Sequence, residues 1–185
     1  GLGDVYKRQT QPVLSCKATV TSDVGEYPIV ATGGASKNYE ITAYKSGVLS
    51  ITKVPITLKA KDASRIYGDE NPEFDFSLSG LKNSDDISCI STKPTYTCLS
   101  TTTSDCGEYD IVPANAQAKN YEISYLKGTL TVTQAPLILA ASNLSREYGD
   151  SNPIFVYEAV GLKGNDTAET AIMEEPILST TANEY

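Results

Sequence analysis

The feature that most constrains this chain is that it repeats itself. Arg65-Ile66-Tyr67-Gly68-Asp69-Glu70-Asn71-Pro72 returns as Arg146-Glu147-Tyr148-Gly149-Asp150-Ser151-Asn152-Pro153, an offset of 148 − 67 = 81 residues. Gly80-Leu81-Lys82 returns as Gly161-Leu162-Lys163, and Val54-Pro55 as Ala135-Pro136, at the same offset. Gly25-Glu26-Tyr27 and Lys37-Asn38-Tyr39-Glu40-Ile41 return as Gly107-Glu108-Tyr109 and Lys119-Asn120-Tyr121-Glu122-Ile123 at an offset of 82. A fixed period of this kind belongs to small units that pack against their neighbours, which restricts the fold to a tandem array.

Pro55 and Pro136 close successive copies, so the frame holds one whole repeat, residues 56–136. The second half of a preceding repeat occupies residues 10–55, and the first half of a following one occupies residues 137–185. Residues 1–9 match nothing in the repeat and read as a non-native leader, to be excluded from fold reasoning. The 185 residues thus read as a fragment of something longer. A half-repeat lacks most of its cross-strand partners, so both terminal halves are expected to be poorly ordered or mispaired unless they complement each other.

Within the frame, apolar and polar residues alternate with the period of a half-buried strand. Ile56, Leu58 and Ala60 alternate with Thr57, Lys59 and Lys61; Phe74, Phe76 and Leu78 alternate with Asp75, Ser77 and Ser79. The same rule covers Tyr121, Ile123 and Tyr125, then Leu130 and Val132, and in the first half Tyr39 and Ile41, then Leu49 and Ile51. Lys127-Gly128 and Ser46-Gly47 fall between such runs, where Gly supplies the positive φ of a hairpin. One or two helical turns fit within residues 82–90, capped by Asn83 or Ser84. The expected class is mainly β, with tandem small domains of about six short strands each. An immunoglobulin-like sandwich and a β-grasp-like sheet with one short helix both accommodate that count.

Few residues could carry chemistry. There is no His, which removes the commonest general base and the commonest zinc ligand. A net charge of −8 excludes most phosphate-backbone binders, and no apolar run approaches the roughly 18 residues of a membrane span. Tyr67, Gly68, Asp69, Asn71 and Pro72, with Tyr148, Gly149, Asp150, Asn152 and Pro153, read as a turn: Gly permits positive φ, Asp and Asn bond back to the chain, and Pro fixes the exit. The competing reading makes Asp69, Glu70 and Asn71 oxygen ligands to Ca²⁺, but their spacing completes no calcium loop. Asp85-Asp86 and Asn165-Asp166 read as solvated loop or helix-start residues. Cys16, Cys89, Cys98 and Cys106 allow three full pairings. A hairpin about Lys93-Pro94 would set Cys89 opposite Cys98 at disulfide spacing, and four unpaired thiols is the alternative. No catalytic residue and no cofactor are expected.

Tyr67-Gly68-Asp69 with Asn71-Pro72, then Gly80-Leu81, Gly107-Glu108-Tyr109-Asp110-Ile111, Asn120-Tyr121-Glu122-Ile123 and Gly128-Thr129-Leu130-Thr131-Val132-Thr133 form an ordered series. In this the chain resembles the MBG repeat of the YGX type, over nearly all of residues 10–185. The resemblance implies tandem copies in a large bacterial surface protein or adhesin, an extracellular, cell-surface setting, and a stalk or adhesive role. It offers no catalytic residue to carry over. Cys89, Cys98 and Cys106 depart from the family's usual pattern.

Two functions of different class follow. A spacer of stacked β domains would have neighbouring repeats as its partners, and its acidic, Thr-rich surface suits it. A binding module would recognise carbohydrate or a host glycoprotein through exposed tyrosines. Tyrosines lying together outside the core favour the second; tyrosines tied into the fold favour the first.

Overall fold

The structure, a computed structural model, describes residues 10–182. The leader at 1–9 lies outside the described residues. The fold is mainly β, in several small sheets, and divides into two compact units. One comprises the residues up to Lys59, with Phe76–Thr95 and Pro113–Leu126; the other comprises Ala60–Asp75, Tyr96–Val112 and the residues from Lys127 onward. Segment 56–136 of the repeat frame therefore contributes to both units.

In the first unit, Val13–Cys16, Gly25–Thr32 and Gly47–Ile51 form an antiparallel sheet in that order, with Tyr27 opposite Leu49. A second sheet places Val54–Ala60 between Tyr121–Leu126 and Phe76–Ser79. Val54–Ala60 runs parallel to Tyr121–Leu126, with Ile56 opposite Ile123. The alternation read from the sequence is realised here: Ile56 and Leu58 are buried, while Lys59 is exposed. Ile56, Ala118 and Tyr121 make the core, flanked by Leu78, Leu81, Cys89 and Ile90.

In the second unit the sheet order is Ala63–Ile66, Gly128–Thr133, Gly107–Ala114, Thr95–Thr97. Gly128–Thr133 is parallel to Ala63–Ile66 and antiparallel to Gly107–Ala114. Its inward residues Leu130 and Val132 pack with Ala60 and Ile111. Phe74 meets Tyr96 edge to face at 5.8 Å, against the same cluster. Ile138–Ala141 pairs with Tyr157–Val160, and a short helix, Ala168–Ala171, begins at the capping residue Thr167.

Four local expectations are corrected. Lys127-Gly128 is not a hairpin: the chain leaves the sheet holding Tyr121–Leu126 and enters the sheet holding Gly128–Thr133. Gly128 is required for another reason, since a Cβ there would lie 2.6 Å from the Ala60 carbonyl oxygen. The helix expected within 82–90 is only a 3₁₀ turn, Ile87–Cys89. Asn83 and Ser84 are both left-handed, with φ of 54° and 62°, and cannot open a right-handed helix; Asp86 caps the turn instead. Residues 39–41 form no strand, because the counterpart Tyr121–Leu126 takes its ladder from Val54–Ala60 and residues 39–41 have no such strand beside them among the described residues.

The hairpin that would pair Cys89 with Cys98 does not form either. Ile90–Thr92 pairs with Gln117–Ala118, whereas Thr95–Thr97 joins the sheet of Gly107–Ala114. Cys89 packs with the core of the first unit and Cys98 with that of the second, and all four cysteines are free.

Candidate functional site: the repeat junctions

Polar side chains concentrate where residues of one repeat meet residues of the next, and each unit contains one such junction. In the first unit the acceptor is a loop ahead of Gly25. Thr19 N–H donates to Ser22 Oγ, Ser22 N–H donates back to the Thr19 carbonyl, and the Tyr27 hydroxyl donates to the Asp23 carbonyl. These bonds leave the Asp23 carboxylate and the Val24 N–H turned toward the following repeat. Asn120 Oδ1 accepts from Val24 N at 3.0 Å, Asn120 Nδ2 donates to Asp23 at 2.9 Å, and Lys119 Nζ reaches the same carboxylate at 2.6 Å. Lys119 first, then Asn120, holds the Asp23 carboxyl below its usual range, and Asp23 raises the Lys119 ammonium in return. The carbonyl of Asn120 takes the Val54 N–H, so the clamp is fixed to the strand that opens the next repeat.

Tyr121, next in the chain, bonds within its own repeat. Its hydroxyl donates to Asp85 and accepts from the Lys82 N–H, and the Asp85 contact raises its pKa. A cavity of about 310 Å³ lies there, lined in part by Val24, Val54, Lys82, Asp85, Asn120 and Tyr121.

In the second unit the junction is built on the Tyr-Gly-Asp turn. Asp69 N–H donates to the Ile66 carbonyl, closing the turn, and Gly68 has φ +88°. Buried Arg65 anchors it through Asn71 Oδ1 at 2.8 Å and Ser100 Oγ at 2.7 Å, with a further bond to the Thr101 carbonyl. Lys163 of the following half-repeat binds the Asp69 carboxylate at 3.0 Å. Asp166 accepts from Tyr67, and this bond is the main cause of that tyrosine's raised pKa. A Cβ on Gly68 would come within 2.4 Å of Lys163 Cβ, so the turn needs glycine for the close approach as well as for its φ. A cavity of about 330 Å³ is lined in part by Tyr67, Cys106, Ala135, Lys163 and Asp166. Cys106, Ala135, Lys163 and Asp166 are the counterparts of Val24, Val54, Lys82 and Asp85 in the first cavity.

The turn's side chains are thus occupied. Asp69 holds Lys163, and Asn71 holds Arg65 and donates to the Ser100 carbonyl. The second copy repeats the anchor, with Arg146 donating to Asn152 at 2.7 Å and Asp150 N–H to the Glu147 carbonyl. No group of three or more His, Cys, Asp or Glu among the described residues could hold a metal ion. Asp86 caps the 3₁₀ turn, but Asp85 and Asp166 are not simply solvated: each holds a tyrosine hydroxyl. The sequence reading did not single out Asp23, Lys82, Lys119, Asn120 or Lys163 as site residues. The available signal was that all of them lie in or next to the recurring segments.

Comparison with known proteins bears on the same segments. The model of the MBG domain (YGX type) matches residues 2–50 and 56–131. The chain belongs to this family. The first match begins within the segment set apart as a leader, and the second covers most of the whole repeat in the frame. Domains of this kind are generally non-catalytic repeat modules. No curated protein and no solved structure matches the chain.

Proposed function

We propose that this MBG chain is a non-catalytic repeat module serving as a stalk or spacer in a large secreted or surface-anchored bacterial protein, with adjoining repeats as its partners. The observation that carries the reading is the placement of the recurring motifs. Tyr-Gly-Asp, Gly-Leu-Lys, Lys-Asn-Tyr and the loop before Gly-Glu-Tyr all supply contacts from one repeat to the next, through Asp69 with Lys163 and through Lys119 and Asn120 with Asp23 and Val24. Repeats joined this way gain stability from nearest-neighbour interfaces, which suits a module that must transmit position along an array.

Most described tyrosines, Tyr39 and Tyr148 apart, support the same reading. Tyr27, Tyr109, Tyr44 and Tyr125 donate to carbonyls of Asp23, Asp105, Gly33 and Ala116, and Tyr157 donates to Glu175, so these hydroxyls serve the fold. The whole chain, immobilised and presented with a glycan array and with mucin, is expected to retain neither. Dose-dependent retention abolished by replacing exposed tyrosines would overturn the spacer reading in favour of a carbohydrate- or glycoprotein-binding module. Localisation is tested separately by protease treatment of intact cells, which should release the chain if it lies at the surface.

A further inference from the structure

We propose that the repeat carries tension: a pull along the chain shears its first segment against its last, and two parallel strand ladders resist that shear. The inference deepens the spacer reading above and rests on it.

The geometry follows from one constant register. Val54–Ala60 lies beside Tyr121–Leu126 in six residue pairs, from Val54 with Tyr121 to Lys59 with Leu126. Ala63–Ile66 lies beside Gly128–Thr133 in four more, from Ala63 with Leu130 to Ile66 with Thr133. Each ladder lies within one unit, and both are parallel. In every pair the partner comes 121 − 54 = 130 − 63 = 67 residues later. Further backbone bonds extend the ladders, from Val54 N–H to the Asn120 carbonyl and from Tyr67 N–H to the Thr133 carbonyl. Between them in sequence, Asp62 Oδ1 accepts from Thr129 N–H at 2.9 Å.

A chain under tension pulls on this repeat at Val54, where it enters, and beyond Thr133, where it leaves. In a parallel pairing the start of one strand lies beside the start of the other. In each ladder the pull therefore acts at opposite ends of the paired strands, slides one along the other, and loads all the bonds together. Antiparallel outer strands would bring entry and exit to the same end, and the ladder would open one pair at a time.

Burial strengthens the arrangement. Ile56, Leu58, Leu130 and Val132 are all buried. Water is kept from that face of each ladder, so a stretched bond finds no solvent partner as it lengthens. The repeat junctions fall at the ladder ends. Asn120, which holds Asp23 and Val24, precedes Tyr121, while Tyr67 and Asp69, held by Asp166 and Lys163, follow Ile66. These side-chain bonds are exposed or half-buried and contribute little against water. They yield first, and the full load passes to the ladders.

The test is optical-tweezers stretching of the full chain, with DNA handles joined to azide-bearing residues so that the free cysteines stay untouched. Thr52, Glu70 and Gln134 are exposed, so labelling them leaves the fold in place. Handles at 52 and 134 pull from opposite ends of the ladders. Handles at 70 and 134 pull from the same end, where Ile66 is paired with Thr133. Pulled from 52 and 134, the chain should give one abrupt rupture at a force several-fold above that from 70 and 134. The rupture should release at most 134 − 52 = 82 residues, or roughly 300 Å of extended chain. Equal rupture forces in the two directions, or gradual lengthening from 52 and 134 with no abrupt rupture, would overturn the proposal. Either result would leave the spacer reading standing, because a spacer need only set a distance; that reading fails on glycan or mucin retention instead.

Discussion

Asn120→Ala tests the junction most directly. The side chain bridges 120 − 24 = 96 residues of sequence, accepting from Val24 N–H at 3.0 Å and donating to Asp23 at 2.9 Å. Alanine removes both bonds and leaves the backbone bond from Val54 to the Asn120 carbonyl in place. A buried donor stripped of its acceptor costs roughly 1–3 kcal/mol. Val24 and Asn120 are only half-buried, so water replaces part of what is lost and the figure falls to about 1 kcal/mol. The bond to Asp23 adds nothing to that number, because an exposed carboxylate is well solvated without it.

The readout is native-state hydrogen exchange of the Val24 amide. A loss of about 1 kcal/mol multiplies the local opening equilibrium by roughly five, given that 1.4 kcal/mol is tenfold. Val24 should therefore exchange about fivefold faster in Asn120→Ala. The amides of Ile111 and Leu130, in the sheet of the other unit, should keep their wild-type rates. Val24 exchanging at the wild-type rate would show that Asn120 does not hold the junction, and the spacer reading would lose its central contact.

The repeat frame also predicts unequal costs at matched positions: Leu130→Ala should lower stability by about 2–5 kcal/mol and Leu49→Ala by under about 1, and equal shifts in thermal midpoint would contradict the assigned burial. Gly68→Ala and Gly149→Ala both force alanine into a left-handed conformation costing about 1–2 kcal/mol, but only at Gly68 does the new Cβ strike Lys163, so Gly68→Ala should melt lower. Tyr67 is raised by Asp166, so the stability this bond contributes is fully present below the ordinary tyrosine value of 10.0 and is lost as pH rises through the higher folded value. Spectroscopic titration of tyrosinate should show part of the late-titrating fraction moving earlier in Asp166→Asn, and an unchanged curve would deny the bond.

Much of the fold could be read from local pattern, and the parts that could not be read share one cause. Ile56, Leu58, Leu130 and Val132 alternate with polar neighbours because one strand face is buried, and that alternation names the face but not the partner. Hence Val54–Ala60 was recognisable as a strand, while its parallel pairing with Tyr121–Leu126, 121 − 54 = 67 residues later, was not. The sheet switch at Lys127-Gly128 looks like a hairpin turn because Gly serves both positive φ and close backbone approach. The junction residues were hidden for a different reason. A Lys, Asn or Asp in a loop has the same local signature whether it is solvated or clamped by a residue from the neighbouring repeat.

What the repeat preserves, compared with what it lets vary, separates those two cases. Some buried positions drift between copies, Ile56 becoming Leu137, Phe76 becoming Tyr157 and Val132 answering to Ile51, while Leu58, Tyr121 and Leu130 recur unchanged as Leu139, Tyr39 and Leu49. Apolar interiors accept such exchanges when volume is roughly kept. Asp23 and Asp105, Lys119-Asn120 and Lys37-Asn38, Lys82 and Lys163, and Asp85 and Asp166 do not drift at all. A solvated loop would place no such demand on residue type, and a metal site would demand acids clustered together rather than acids facing lysine, asparagine and tyrosine. An array makes the demand directly, because every repeat must carry both sides of its own interface. The identity of these segments between copies is therefore what a chain designed to meet its neighbours requires, and the contacts at Asp23 and Asp69 are where that requirement is met.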